Sequence, residues 1–213
     1  MSNARVVVSS VVVAVVLLAG SSVAYASPEV WARSYSLETA GNSAGALEAL
    51  ESLPEGERGT YLFALRRAWL LYQVGRYDAS VTGYRQAATL APESLEAPLG
   101  ELLPLLAQRR WAEAETRARA VLVRDADNYL AGRRLAFALF GLGRFEESEQ
   151  VYRAVSRRYP SDLEVVTGIA WCQARRGHRD EAAATFRSVL AVSPEDTTAR
   201  AGLTAATGAE PVR

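Results

Sequence analysis

A 34-residue period runs along the chain from residue 27 and constrains its fold more than any single residue does. The period brings a glycine to the same place in four blocks: Gly41, Gly75, Gly143 and Gly177. A small residue follows five positions after each of them, and a proline closes three of the blocks. Self-similarity at this spacing is typical of a solenoid, in which each unit buries its apolar face against its neighbours. The sequence therefore predicts an array of short helical units that is better suited to binding than to catalysis.

Each block contains two amphipathic segments, as the fourth block illustrates. Its first segment, 130–142, has apolar residues at helical spacing. Gly143 then permits the left-handed conformation that ends a helix. The second segment, 145–159, begins after this turn, and Pro160 prevents its continuation. The pattern predicts a helix–turn–helix in each block, with a small residue such as Ser148 where the two helix axes approach closely.

The order of these residues resembles the tetratricopeptide repeat, which has apolar and small residues on its first helix, glycine in the turn and an aromatic residue two positions later. A small residue, a second aromatic and a proline follow on the second helix. In the fourth block the matching residues are Leu139, Gly143, Phe145, Ser148, Tyr152, Val155 and Pro160. The resemblance implies an all-α fold: a right-handed superhelical solenoid of about five helix–turn–helix repeats with a C-terminal capping helix.

The repeats predicted in this way are 27–60, 61–94, 95–128, 129–162 and 163–196, followed by a capping helix at 197–206 and a tail at 207–213. Two of them depart from the pattern. The first has a short second helix and then a loop, and the third has Arg109 in place of the turn glycine. The third also has Pro104 in the middle of its first helix, which disfavours helix by roughly 3 kcal/mol. We expect a kink or a break there, unless the neighbouring repeats absorb it.

The N-terminal segment has the three parts of a secretory signal peptide. Arg5 precedes an apolar run, 6–19, and the residues Ala24, Tyr25 and Ala26 form a cleavage site of the A-x-A type. We expect residues 1–26 to be removed and the mature chain to be exported, to the periplasm. The alternative is an uncleaved anchor in the inner membrane that faces the periplasm, because no charge interrupts residues 6–28 and that length can span a bilayer.

The composition argues against several classes of function. Acidic and basic residues balance, with 24 of each and no lysine, so the chain lacks the basic surface that nucleic acid requires. Cys172 is the only cysteine and His178 the only histidine, too few for a zinc site. We interpret Cys172 as a buried apolar residue and His178 as a solvated turn residue. No glycine-rich phosphate loop is present. The sequence predicts no catalytic residue, no metal and no cofactor.

The resemblance also implies where a partner would bind. In the family, positions 2, 5, 9 and 12 of each first helix line the concave surface. The residues that we carry over are Trp31, Tyr35, Leu65, Trp69, Tyr72, Leu99, Leu103, Leu106, Arg133, Phe137, Phe140 and Trp171. Members that bind a C-terminal carboxylate use lysine and asparagine there, and neither occurs in this set. An apolar, aromatic surface instead favours a hydrophobic extended segment or an amphipathic helix.

Other interpretations of this surface stay open. The same aromatic side chains can pack as core between repeats, or form the interface of a homodimer. Arg133 can fix the polarity of a bound segment, or it can be paired with a glutamate. We expect a non-catalytic adaptor or assembly scaffold of the bacterial cell envelope that binds a protein segment. The alternative is a structural module that self-associates or is tethered to the membrane.

Overall fold

The computed structural model describes residues 27–208, which form twelve α-helices. The helices are α1 Pro28–Thr39, α2 Ser43–Glu51, α3 Glu55–Arg58, α4 Tyr61–Gln73, α5 Tyr77–Leu90, α6 Glu96–Ala107, α7 Trp111–Arg124, α8 Tyr129–Gly141, α9 Phe145–Arg158, α10 Leu163–Arg175, α11 Arg179–Val192 and α12 Thr197–Thr207. The predicted signal peptide or anchor, 1–26, lies outside the described residues. Within 27–208, no helix is both long and apolar enough to cross a membrane.

The helices form antiparallel pairs that stack in chain order. Each of the five predicted repeats holds one such pair, with the short α3 following the first, and α12 packs on the last. Apart from the short α3, which α2 bypasses to pack on α4, each helix makes its main contacts with the helices before and after it in the chain, as expected when units bury their apolar faces only against neighbours. The predicted all-α array of tetratricopeptide-like repeats is confirmed.

The small residue predicted at each helix crossing is fully buried. These residues are Ala46, Ser80, Ala114, Ser148 and Ala182. The serines also bond across the crossing: the Ser80 hydroxyl donates to the Ala68 carbonyl, and Ser148 to that of Ala136, both at 2.7 Å. A larger side chain would hold the two helices of a repeat apart.

The turn between the two helices requires a left-handed residue in every repeat. Gly41, Gly75, Gly143 and Gly177 supply it with φ values of 78°, 77°, 77° and 87°. In the third repeat Arg109 adopts the same region with φ 57°. The turn therefore keeps its conformation even where glycine is absent, although positive φ is sterically unfavourable for a residue with a side chain.

The divergent repeats differ in part from what was expected. The predicted loop 54–60 contains a helical turn, α3. At Pro104, where we expected a kink or a break unless the neighbouring repeats absorb the proline, the helix is unbroken: α6 continues to Ala107, and the Gln108 N–H donates to the Pro104 carbonyl at 3.1 Å. Pro104 lies in the last turn of α6, so its missing donor removes one backbone hydrogen bond near the helix end. The buried side chains of Leu102 and Leu105 hold the helix in the core.

An aromatic ring on the second helix of one repeat packs against a glycine on the first helix of the next. The three pairs are Tyr84 with Gly100, Tyr152 with Gly168, and Phe186 with Gly202. A Cβ atom added at these glycines would lie 2.2, 2.6 and 2.2 Å from the ring, respectively. Only glycine admits the ring, so these pairs set the distance between successive repeats.

Helix α12 closes the C-terminal end of the array as the sequence predicted. Asp196 caps it by accepting a hydrogen bond from the Ala199 N–H at 2.8 Å. Gly208 ends it in the left-handed conformation, with φ 68°. Ala199 and Ala206 pack into the cluster around Phe186, which would otherwise face solvent.

Candidate partner-binding grooves

The first helices of the repeats form one face of the array, which we call the inner face. Two depressions lie on it. The first, the N-terminal groove, has a volume of about 500 Å³ between α1 and α8. Five of the predicted site residues line it: Tyr35, Leu65, Trp69, Leu99 and Leu103. The second, the C-terminal groove, measures about 280 Å³ and is lined by three more: Phe137, Phe140 and Trp171.

The other four predicted residues lie elsewhere or are already engaged. Trp31 is 7% exposed and packs in the core of the first repeat, where its indole N–H donates to the Glu57 carboxylate at 3.2 Å. Tyr72 lies between the rings of Trp69 and Tyr77. The remaining two are Leu106, which packs against the core of the third repeat, and Arg133, which pairs with Glu164.

The aromatic residues of the inner face differ in how far they are open. Tyr35 and Phe137 keep 47% and 46% of their surface exposed. Trp69 is half-buried between the core clusters of the first two repeats. Trp171 packs edge-on against Phe186, with ring centroids 5.5 Å apart. The tryptophans thus stabilise the stack and also line the grooves, whereas Tyr35 and Phe137 retain surface that a ligand can cover.

A polar cluster that the sequence analysis missed lies in the N-terminal groove. Glu38 accepts hydrogen bonds from Arg66, Trp69 and Gln73, with the Arg66 Nη1 atom 2.9 Å and the Gln73 Nε2 atom 2.8 Å away. Burial alone would raise the pKa of Glu38, but these donors lower it below its usual value. Arg66 is itself buried and lies over the Tyr35 ring at 3.4 Å. Because the indole N–H of Trp69 donates to Glu38, it is not available to a ligand.

The positional rule itself contained the signal for this cluster. Glu38 occupies position 12 of the first helix, and Leu62, Glu96 and Leu130 occupy position 2 of theirs. All four line the N-terminal groove. The C-terminal groove likewise includes Glu164 and Thr167, at positions 2 and 5 of α10, beside the aromatic residues. Applying the rule to every residue type, rather than to apolar residues and Arg133, would have found them.

Arg134 is the functional candidate that this rule does not reach, since it lies at position 6 of its helix. Its side chain is half-buried in the N-terminal groove, where Nη1 donates to the Leu99 carbonyl at 2.7 Å. Burial and the neighbouring charge of Arg133 both lower the pKa of the Arg134 guanidinium. Among residues 27–208, no carboxylate forms an ion pair with it.

The residues with chemical reactivity are held in structural roles. Cys172 is fully buried, its thiol donates to the Ser148 hydroxyl at 3.2 Å, and burial raises its pKa to about 11. His178 is exposed in the turn before α11, with Nδ1 3.5 Å from the Glu181 carboxylate. Within the described part of the chain, no three potential metal ligands come together.

Comparisons with known proteins agree with this architecture. The sequence signature described as tetratricopeptide repeat matches residues 105–172 and again residues 167–196. A search of curated proteins found no match. Among solved structures, the chain is similar to MamA, residues 41 to the end, from Desulfovibrio magneticus RS-1, with a TM-score of 0.72 and 18% identity over 80% of this chain and 97% of that one.

A second similar structure is a tetratricopeptide repeat protein from Parabacteroides merdae ATCC 43184. Its TM-score is 0.74, with 16% identity over 85% of this chain and 73% of that chain. A third, MamA AMB-1, has a TM-score of 0.65 and 21% identity over 75% of this chain and 95% of its own. At these identities the likeness describes the shared helical fold.

Proposed function

Because the chain is a tetratricopeptide repeat protein, and so a non-catalytic scaffold for protein–protein interaction, we propose that it binds a hydrophobic or amphipathic segment of a partner along its inner face. The two grooves, joined by the row of first helices, are the binding surface. The observation that carries the proposal is the exposure of Tyr35 and Phe137, each close to half open, beside two depressions of the inner face that aromatic and leucine side chains line. Covering an aromatic ring is worth several kcal/mol in gross terms, at about 25 cal/mol per Å².

We also place this binding in the bacterial cell envelope. The support comes from residues 1–26, whose basic, apolar and small-residue sections have the order of a signal peptide. N-terminal sequencing of the chain recovered from cells tests this part: a protein that begins at Ser27 is exported and cleaved. An intact N-terminus in the membrane fraction would instead indicate a tethered protein.

The binding surface can be tested by site-specific photo-crosslinking in cells. A photoreactive phenylalanine analogue replaces Phe137 on the inner face, or Val123 on α7, which is 87% exposed but lies on a second helix. We expect one discrete crosslinked partner from position 137 and none from position 123. The Phe137 ring packs edge-on against Trp111, with ring centroids 5.6 Å apart, but buried residues such as Leu135 and Leu139 hold α8 on α7. The variant Phe137→Ala should therefore lose that partner while its circular dichroism stays unchanged.

Two results would contradict the proposal. If Phe137→Ala lowers helicity, the ring is structural. If both positions crosslink the same proteins, the inner face has no special role. Crosslinking of position 137 to a second copy of the chain, with a molecular mass that rises with concentration, would indicate the self-associating module instead.

A further inference from the structure

One position of the first helix is filled in two different ways from the third repeat onward. Position 6 is Gly100, Arg134, Gly168 and Gly202 in successive units, each 34 residues from the next. The three glycines receive an aromatic ring from the preceding repeat. Before Arg134, the residue that corresponds to those rings is Ala118, which is small and fully buried. At this junction, alanine therefore replaces the aromatic residue, and arginine replaces the glycine.

The side chain of Arg134 lines the N-terminal groove from α8 and forms no ion pair within residues 27–208. Leu99, Leu103 and Leu130 line the groove around it. The two carboxylates that line the same groove are engaged by other groups. Glu38 is held by Arg66, Trp69 and Gln73, and Glu96 accepts a hydrogen bond from the Tyr61 hydroxyl at 2.9 Å.

Arg66, the arginine at the same position two repeats earlier, shows the contrast. Its guanidinium is buried and satisfied by Glu38 and by the Ser34 hydroxyl at 2.9 and 3.1 Å. Arg134 has five N–H donors but one hydrogen bond within the described chain, to the Leu99 carbonyl. The side chain is half-buried, and beyond the Leu99 carbonyl the described chain gives it no acceptor, so its other donors are left for water or for a ligand.

We propose that Arg134 binds a carboxylate from the partner segment: an aspartate or glutamate side chain flanked by apolar residues. The inference rests on the proposed function and names the chemistry of its ligand. A planar guanidinium matches a carboxylate in a bidentate pair of charge-assisted hydrogen bonds. Tyr35, Leu65 and Leu103 cover the apolar neighbours.

The position of Arg134 favours an internal side chain over a chain terminus. The N-terminal groove extends to α1 on one side, and the C-terminal groove begins at Phe137, one turn along α8, on the other. A segment that lies along the inner face continues past Arg134 in both directions. Its acidic residue is therefore in the middle of the segment.

Selection from random peptides tests the inference without a known partner. A library of displayed 16-mers, fused at the C-terminus so that no free terminal carboxylate exists, is selected on the purified chain. We expect enrichment of apolar residues around one Asp or Glu. Selection on Arg134→Gln should keep the apolar preference and lose the acidic one. The control Arg187→Gln, an exposed arginine on the second helix α11, should select the same peptides as the parent chain.

Affinity measurements on the best peptide give the magnitude. Replacing its acidic residue by the amide, or Arg134 by Gln, should each weaken binding about tenfold, the value of one charge-assisted hydrogen-bonded contact. Both changes together should weaken it no further, because they remove the same pair. Arg134→Lys should recover part of the affinity. The free Arg134→Gln variant should be as stable as the parent chain.

Several outcomes would overturn the inference. Apolar enrichment without an acidic preference would remove the role of Arg134 and leave the apolar binding face intact. Enrichment of a terminal carboxylate alone, in a second library with free C-termini, would show that the ligand is a chain end. Clear destabilisation of free Arg134→Gln would show that the arginine is structural. No enrichment of any kind would contradict the proposed function itself.

Discussion

At the scale of single residues, Arg109 shows how a repeat tolerates the loss of its most characteristic residue. Its backbone takes φ 57°, a region that costs a residue with a side chain about 1 kcal/mol relative to glycine. The next residue, Arg110, still donates its N–H to the Leu105 carbonyl at 2.9 Å, as the corresponding residues do after the glycine turns. The packing of the helices on both sides therefore imposes the left-handed conformation on the residue in the turn, whatever its type.

Arg109→Gly should therefore stabilise the protein. We expect an increase of about 1 kcal/mol in the free energy of unfolding, measured by urea denaturation, because glycine adopts positive φ without steric penalty. Gly143→Ala, at φ 77° and with open space around the added Cβ, should lower stability by a similar amount. A lower stability for Arg109→Gly would mean that the arginine side chain makes contacts worth more than the strain.

Single residues also mark the limit of what the repeat pattern predicts on the inner face. Trp31 and Tyr35 both satisfy the positional rule, yet one is buried and the other is half open. Trp31 packs in the apolar core cluster of the first repeat, and its indole N–H also donates to Glu57 on α3, whereas Tyr35 lines the N-terminal groove. Helix α3 lies in a segment that has no counterpart in the other repeats, so no periodic argument could place it there.

At the scale of secondary-structure elements, the helix pairs could be predicted almost to the residue, and the contacts between pairs could not. Residues 130–142 and 145–159 were expected to be helical, and α8 and α9 span Tyr129–Gly141 and Phe145–Arg158. Glycine, proline and apolar spacing determine these limits locally. The ring of Tyr152 contacts Gly168 in the next repeat, and the pattern within one block does not predict a contact between two blocks. The sequence did contain a hint of it, because Gly168 and Gly202 are 34 residues apart.

The ring–glycine contact predicts a large effect from a small substitution. Gly168→Ala would place a Cβ atom 2.6 to 2.9 Å from atoms of the Tyr152 ring, although alanine is the better helix former. We expect a loss of about 1–3 kcal/mol in unfolding free energy, since the core must shift to admit the methyl group. Gly56→Ala on α3, where nothing lies within 4 Å, is the control and should not destabilise.

A double variant separates steric overlap from a general effect of the substitution. In the background of Tyr152→Ala the ring is absent, and Gly168→Ala should then cost little or become favourable. This combination approximates the natural junction at Ala118, where no ring is present. Additive effects of the two changes would show that the ring and the glycine do not act as a pair.

At the scale of the whole molecule, ion pairs join helices along the array where apolar packing leaves the edges open. Glu101 is 1% exposed and lies 2.7 Å from Arg85 on α5 and 2.8 Å from Arg117 on α7. The contact with Arg117 lacks hydrogen-bond geometry and is therefore ionic. Arg144 joins α8–α9 to Glu115 on α7 in the same way. A chain with balanced charge thus uses many of its charges between neighbouring units.

Two further ion-paired carboxylates, Glu113 and Glu147, predict a loss of stability in acid. Hydrogen bonds from Arg110 and then Arg85 lower the pKa of Glu113 to about 2, and a hydrogen bond from Arg144 lowers that of Glu147. A carboxyl group whose pKa is lower in the folded chain stabilises that state at pH values above its unfolded pKa. The stabilisation disappears as the pH falls through the folded value. We expect the melting temperature to be level near neutral pH and to fall steadily between pH 4.5 and about 2.

A single variant tests whether these carboxylates cause the acid loss. Glu113→Gln should be less stable than the parent chain near pH 7, because Arg110 and Arg85 each lose one of their two carboxylate partners. The two melting curves should converge toward pH 2, where the parent's Glu113 is also uncharged. Glu55→Gln on the exposed face of α3 should follow the parent curve throughout. A difference between Glu113→Gln and the parent chain that stays constant down to acid would mean that the side chain acts through packing, and that its ion pairs with Arg110 and Arg85 do not cause the acid loss.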